Sequence, residues 1–267
     1  MTTPARCPAG TVNARRPQAP HPVRPYPPAA TPMTDTVFFA AYRSHPSLRQ
    51  DIQKLIDNLN AGTRESQKAL AAHAFETAAQ EVLEALVTNL VRKLENPQKP
   101  NAEIHKTIAR IRDSMGGLCR MITGVLSNEK LAVAMRHYRT LLLDVDDDAG
   151  RPQPWIGMRV DMAFVNELRA VAAHLRDDNA TYDAQRTMRM LDRLTDMVIG
   201  AMIEQPKEQM GLGFVMRKTA DGAIALMRSA MHGMTHRSVP HLSPRQRKGL
   251  AEHLEAMLLE LPADRFV

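Results

Sequence analysis

His232 and His236 stand one helical turn apart, so a helix would turn both imidazoles the same way. His241 follows across a turn, and Met227, Met231 and Met234 surround the pair. Imidazole with thioether suits copper(I), and two histidines on one helix face suit zinc. The His-Glu-x-x-His pattern is absent, because Gly233 follows His232, and no paired cysteines assist. The same methionines also fall on a core stripe. The ordinary alternative is therefore core methionine beside histidine favoured at a helix C-terminus by the dipole. A metal-binding protein or metalloenzyme around His232, His236 and His241 is carried as one functional expectation, and no cofactor is predicted.

Four cations follow: Arg237, Arg245, Arg247 and Lys248, with no acid between Thr235 and Gly249. Three of them fall in the first turn of a helix opened by Ser243-Pro244-Arg245-Gln246. Cations there oppose the helix dipole, and a bound anion would relieve the conflict. The cluster is thus a candidate site for an acidic partner or nucleic acid, against the plainer reading of a solvated basic corner. Aromatic platforms for stacking bases are scarce, which weakens the nucleic-acid reading.

Other patterns carry less chemistry. Asp144-x-Asp146-x-Asp148 starts like a calcium loop, but Ala149 and Trp155 occupy the positions that need Gly and Glu. Met210-Gly211-Leu212-Gly213-Phe214 lacks the Gly-Lys-Ser/Thr ending of a phosphate loop. Cys119 lies next to an apolar stripe and reads as a small core residue. No Gly-x-Ser-x-Gly elbow occurs, and carboxylate pairs such as Glu81 and Glu84 have the spacing of a solvated helix face.

The elements that must position these groups read as helices nearly everywhere. Apolar residues recur at helical spacing in about eight segments. The stripe Leu48, Ile52, Leu55, Ile56 and Leu59 ends at Gly62, a residue that accepts the left-handed C-terminal conformation. The next segment spans about 64–95. The third, Ile104, Ile108, Ile111, Met115, Leu118, Ile122 and Val125, alternates spacings of four and three, the seam of a bundle helix. Gly116-Gly117 inside it suggests a close helix contact or a kink. Ser127 caps a fourth helix. Phe164 to Leu175 and Met188 to Met202 mark a fifth and a sixth, the latter stopped by Pro206. The seventh carries Val215, Met216, Leu226, Met227 and Met234 inward. The eighth places Leu250, Leu254, Met257, Leu258 and Leu261 on its core face. No segment shows the alternation of a strand, so the fold class expected is all-α, a multi-helix bundle.

Nine of the eighteen prolines lie in residues 1–32, which hold four arginines and no acid. Such composition is expected to be a disordered tail or a mis-assigned leader ahead of Met33. Without it the formal charge of +6 falls to 31 basic against 29 acidic side chains, so no global field gathers polyanions. The remainder, 33–267, is expected as one helical domain, or as four-helix halves 33–143 and 156–267 joined by an acidic loop, 144–155. Two cysteines in different segments make no disulfide framework, and a cytoplasmic setting is expected. No apolar run reaches the length of a membrane span. The functional expectation is a noncatalytic helical interaction or regulatory protein that self-associates or holds a protein partner. The nucleic-acid and metal readings are the alternatives.

Overall fold

A computed structural model of the chain describes residues 36–95, 102–147 and 149–263, with the side chain of residue 94 left out. The Pro-rich stretch 1–32, Cys7, Met33 and Asp148 lie outside the described residues. The order is β1 (Thr36–Arg43), α1 (Pro46–Asn60), α2 (Lys68–Leu83), α3 (Asn89–Leu94), α4 (Ala102–Val125), α5 (Asn128–Leu141), β2 (Leu142–Asp146) and β3 (Pro152–Val160). It continues with α6 (Met162–Arg176), α7 (Ala184–Ile199), α8 (Gln205–Gln209), α9 (Phe214–Ser238), α10 (Pro244–Ala256) and β4 (Leu258–Pro262). A π turn, Glu84–Thr88, joins α2 to α3, and a second, Gly200–Glu204, joins α7 to α8. Each pair therefore forms one continuous rod, and all eight expected helical stretches occur. Pro206 does not end the sixth: it sits in the first turn of α8, where its missing amide proton costs least.

Local chemistry accounts for the helix boundaries. Ser127, Asp161 and Asp183 each accept a backbone N–H of the first turn of α5, α6 and α7. Ser243 and Gln246 form the reciprocal capping box of α10. Gly62 takes φ +68° just after α1, as its position required.

The all-α expectation needs correction. Four strands form an antiparallel sheet in the order β2-β3-β1-β4. The supposed linker 144–155 is mostly the β2–β3 hairpin, with Asp144 opposite Pro154 and Asp146 opposite Pro152. Asp147 builds its turn by accepting from the backbone of Ala149 and Arg151, each at 2.9 Å. Those bonds and the Arg151 guanidinium hold its carboxyl below the usual carboxylate range. Asp144 pairs with Arg49 at 2.9 Å. The start of a calcium loop is thus a hairpin edge in this fold. Because β1 pairs with both β3 and β4, the first and second halves of the chain share one sheet.

Both faces of this sheet are apolar. Ala40, Ile156 and Val160 join the main core with the helices, while Phe39, Ala41, Leu143 and Leu261 pack together on the other face. Gly157 lies opposite Ala41, and a Cβ there would meet the Ala41 Cβ at 2.6 Å. Only glycine lets β1 and β3 approach so closely.

The helices pack α2 on α4, α6 on α10 and α7 on α9. Of the α4 seam, Ile108, Ile111, Leu118 and Ile122 are buried, and Ile104 and Met115 pack against the core. Val125 is exposed. Gly117 has open space where a side chain would stand, and Gly116 meets only the Arg120 side chain, so no close helix contact explains the pair. The stripe expected on α9 also fails in part: Leu226 is 61% and Val215 73% exposed. No helix among the described residues is long and apolar enough to cross a membrane.

Candidate functional site

The histidines come first. α7 and α9 run antiparallel, and His232 and His236 of α9 face Asp192 and Asp196 of α7, themselves one turn apart. His236 Nε2 lies 2.6 Å from Asp192, and His232 Nε2 lies 3.3 Å from Asp196. The two rings are parallel, with centroids 6.5 Å apart. Arg228 continues the ladder, bonding Asp196 at 2.8 Å and Glu204 at 3.1 Å. These contacts tie α9 to the rod of α7. His241, in the short turn Val239–His241, is not part of the ladder. Among the described residues no group of three or more His, Cys, Asp or Glu is arranged to hold a metal ion.

The basic corner divides similarly. Lys248 bonds Asp178 at 2.6 Å. The Arg247 guanidinium lies 5.1 Å over the ring of Tyr182, and its Nε is buried without a hydrogen-bond partner. The Tyr182 hydroxyl donates to the Val239 carbonyl at 2.8 Å, so Arg247 and Tyr182 pin the turn between α9 and α10. Arg237 and Arg245 have no acidic partner within 4.0 Å among the described residues. Two of the four cations are thus engaged within the fold.

Arg237 and His241 instead line a large opening among the described residues. It is a cleft of about 1060 Å³, walled mainly by α4 from Glu103 to Ser114 and by α9 from Leu226 to Ser238. Leu90 and Val91 of α3, Leu191 and Leu194 of α7, and Leu250 of α10 add apolar side chains to a lining that also holds Thr107, Ser114, Ser229 and Thr235. The pattern of α9 explains why the cleft exists. Its few buried positions are Ala220, Ile224 and Met227, whereas Leu226, Ser229 and Gly233 are small or exposed along the opening. α9 does pack on α4, and the cleft opens where such residues give it little bulk.

Next to the cleft is a smaller apolar hollow of about 80 Å³, which shares Leu86, Met227 and Met231 with it. Phe75, Met115, Cys119 and Met202 also line the hollow. Burial, reinforced by the Glu76 charge, pushes the Cys119 thiol up to about 12. That thiol is no nucleophile at neutral pH. Both π turns border this region. A π turn leaves carbonyls without their usual helical partners, and here side chains supply donors. His137 bonds the Ala201 carbonyl at 2.7 Å and Tyr138 that of Met202 at 2.6 Å. His253 of α10 bonds the Leu86 backbone. Sequence reading missed these three residues. Each stands on an otherwise ordinary amphipathic helix, and their partners are backbone atoms, which leave no pattern.

No family model matches this chain, and neither the curated proteins nor the solved structures yield a match.

Proposed function

We propose that this chain is a noncatalytic helical interaction protein that holds a protein partner in the cleft between α4 and α9. The observation that carries the reading is the cleft: about 1060 Å³, with Ile104 and Ile111 of α4 and Leu226, Met227, Met231 and Met234 of α9 set among polar side chains, and with Leu226 61% exposed at its edge. Apolar surface that the chain's own packing leaves open is characteristic of interaction sites. The methionines of α9 suit this role, because flexible thioether side chains adapt to more than one guest. The nucleic-acid reading has less support, since Lys248 and Arg247 are engaged within the fold. The metal reading has less as well, since His232 and His236 face Asp192 and Asp196 while His241 stands apart.

Ser229 is exposed on the cleft wall, so Ser229→Trp obstructs the cleft without replacing a core residue. The parent and Ser229→Trp chains should unfold at the same temperature. Used as baits in extracts of the source cell, the parent should retain a partner that Ser229→Trp loses. A second copy of this chain qualifies as that partner, and sedimentation of both proteins identifies that case. Identical partner sets and identical sedimentation for the two baits would refute the proposal.

A further inference from the structure

We infer that the partner segment is an amphipathic helix of about three turns, apolar on one face and acidic along its flanks. This rests on the reading of the cleft as a protein-binding surface.

Length and volume select a helix. The α4 wall runs twelve residues from Glu103 to Ser114, and the α9 wall thirteen from Leu226 to Ser238. At 1.5 Å per residue these walls are roughly 17 and 18 Å long, about three helical turns. A helix that long and 10 Å across fills about 1400 Å³, close to the cleft's own 1060 Å³ once its solvent side is left outside. A small-molecule pocket would enclose its guest and hide its apolar lining. Here Leu226 stays exposed and the trough is open. Helices bind such grooves through apolar anchors at i, i+3, i+4 and i+7, a spacing that matches two helical walls.

Charge selects the flanks. The lining carries two acids and two arginines. Glu95 bonds His105 at 2.7 Å, and Glu103 likewise has a partner within the chain, so neither acid is free. Arg110 and Arg237 are exposed on opposite walls, and among the described residues neither has an acidic group within 4.0 Å. Nine other arginines of the described residues do have such partners: seven from Arg49 to Arg186, and Arg193 and Arg228. Other arginines of the described residues, Arg245 among them, also lack an acidic partner, but these two stand on the cleft walls, where carboxylates beside the apolar face of a guest would meet them. Complementary rim charges of this kind set orientation and partner choice more than raw affinity.

The test uses a synthetic peptide of about 16 residues, long enough to be helical, with leucines on one face and glutamates flanking it. A second peptide carries lysine at every glutamate position. Binding to the full chain is read by fluorescence anisotropy. The Glu peptide should bind at least tenfold more tightly than the Lys peptide, and the gap should shrink at high salt. Arg110→Glu combined with Arg237→Glu should reverse the preference, and Ser229→Trp should abolish binding of both. The arginines are exposed, so their replacement leaves the core intact. Equal binding of the two peptides, lost in Ser229→Trp, would overturn the acidic flank while leaving the cleft as a binding surface. Binding that survives Ser229→Trp would overturn the cleft reading as well. So would the absence of binding by either peptide. A DNA duplex that displaces the Glu peptide, and needs Arg110 and Arg237 to do so, would overturn the inference in favour of nucleic acid.

Discussion

Replacing Phe164 by alanine is expected to destabilise the folded chain by about 3–5 kcal/mol. Phe164 is 1% exposed in the main core, and it stands in the first turn of α6. Its backbone N–H donates to Asp161 at 2.7 Å, and the Arg193 guanidinium lies 5.1 Å over its ring. Truncation removes the ring from close packing and leaves a cavity that a surrounding bundle of helices cannot fully collapse. A protein of this size loses roughly 2–4 °C in Tm per kcal/mol, so the midpoint should fall by about 6–20 °C. Met162, two residues earlier on the same helix, is 49% exposed. Met162→Ala should change stability by less than about 0.5 kcal/mol. A loss below 1 kcal/mol for Phe164→Ala, measured by urea unfolding, would contradict the placement of α6 in the core.

The second large effect is a pH dependence lodged in His253. This residue is 7% exposed on α10, and its Nε2 has no hydrogen-bond partner. Burial, aided by the nearby Lys93 charge, lowers its pKa from the ordinary 6.5 to about 4, while its bond to the Leu86 backbone pulls the other way. The sign follows from which state takes the proton. Below pH 6.5 the unfolded chain protonates this imidazole, whereas the folded chain resists until about pH 4. The contribution is therefore complete above pH 6.5 and is lost as the pH falls toward 4. Its full size is roughly 3 kcal/mol. Between pH 7 and pH 4.5 the parent should lose about 2 kcal/mol more than a His253→Gln variant, whose side chain does not titrate. Equal losses would show that His253 is hydrated in the folded protein.

The helices were legible in the sequence because each buries one stripe. Ile108, Ile111, Leu118 and Ile122 recur at bundle spacing and are buried, and the Ser243–Gln246 capping box forms as its residues imply. The sheet was hidden for a physical reason. Its two faces are both apolar, so Val37, Phe38, Phe39, Ala40 and Ala41 form a continuous apolar run without alternation. β4 was masked differently. Leu258 and Leu261 continue the spacing of α10, but Leu258 pairs with Ala40 and Leu261 with Val37, and strand pairing overrides the helical pattern. At the site, the spacing of His232 and His236 was visible, but Asp192 and Asp196 lie on another helix, which no local motif announces. The cleft could not be read at all. Leu226 and Met234 have the periodicity of core residues, and only the folded structure shows that part of this stripe faces an opening.

The central claim is that this opening receives a guest, and the methionine methyl groups report on it directly. Met231 and Met234 line the cleft, while Met158 lies on β3 and Met162 on the exposed side of α6. Titrating the methyl-labelled chain with the Glu-flanked peptide should shift the Met231 and Met234 resonances in NMR spectra and leave those of Met158 and Met162 in place. Saturable binding that moves Met158 or Met162, with Met231 and Met234 unchanged, would place the guest elsewhere and contradict the account.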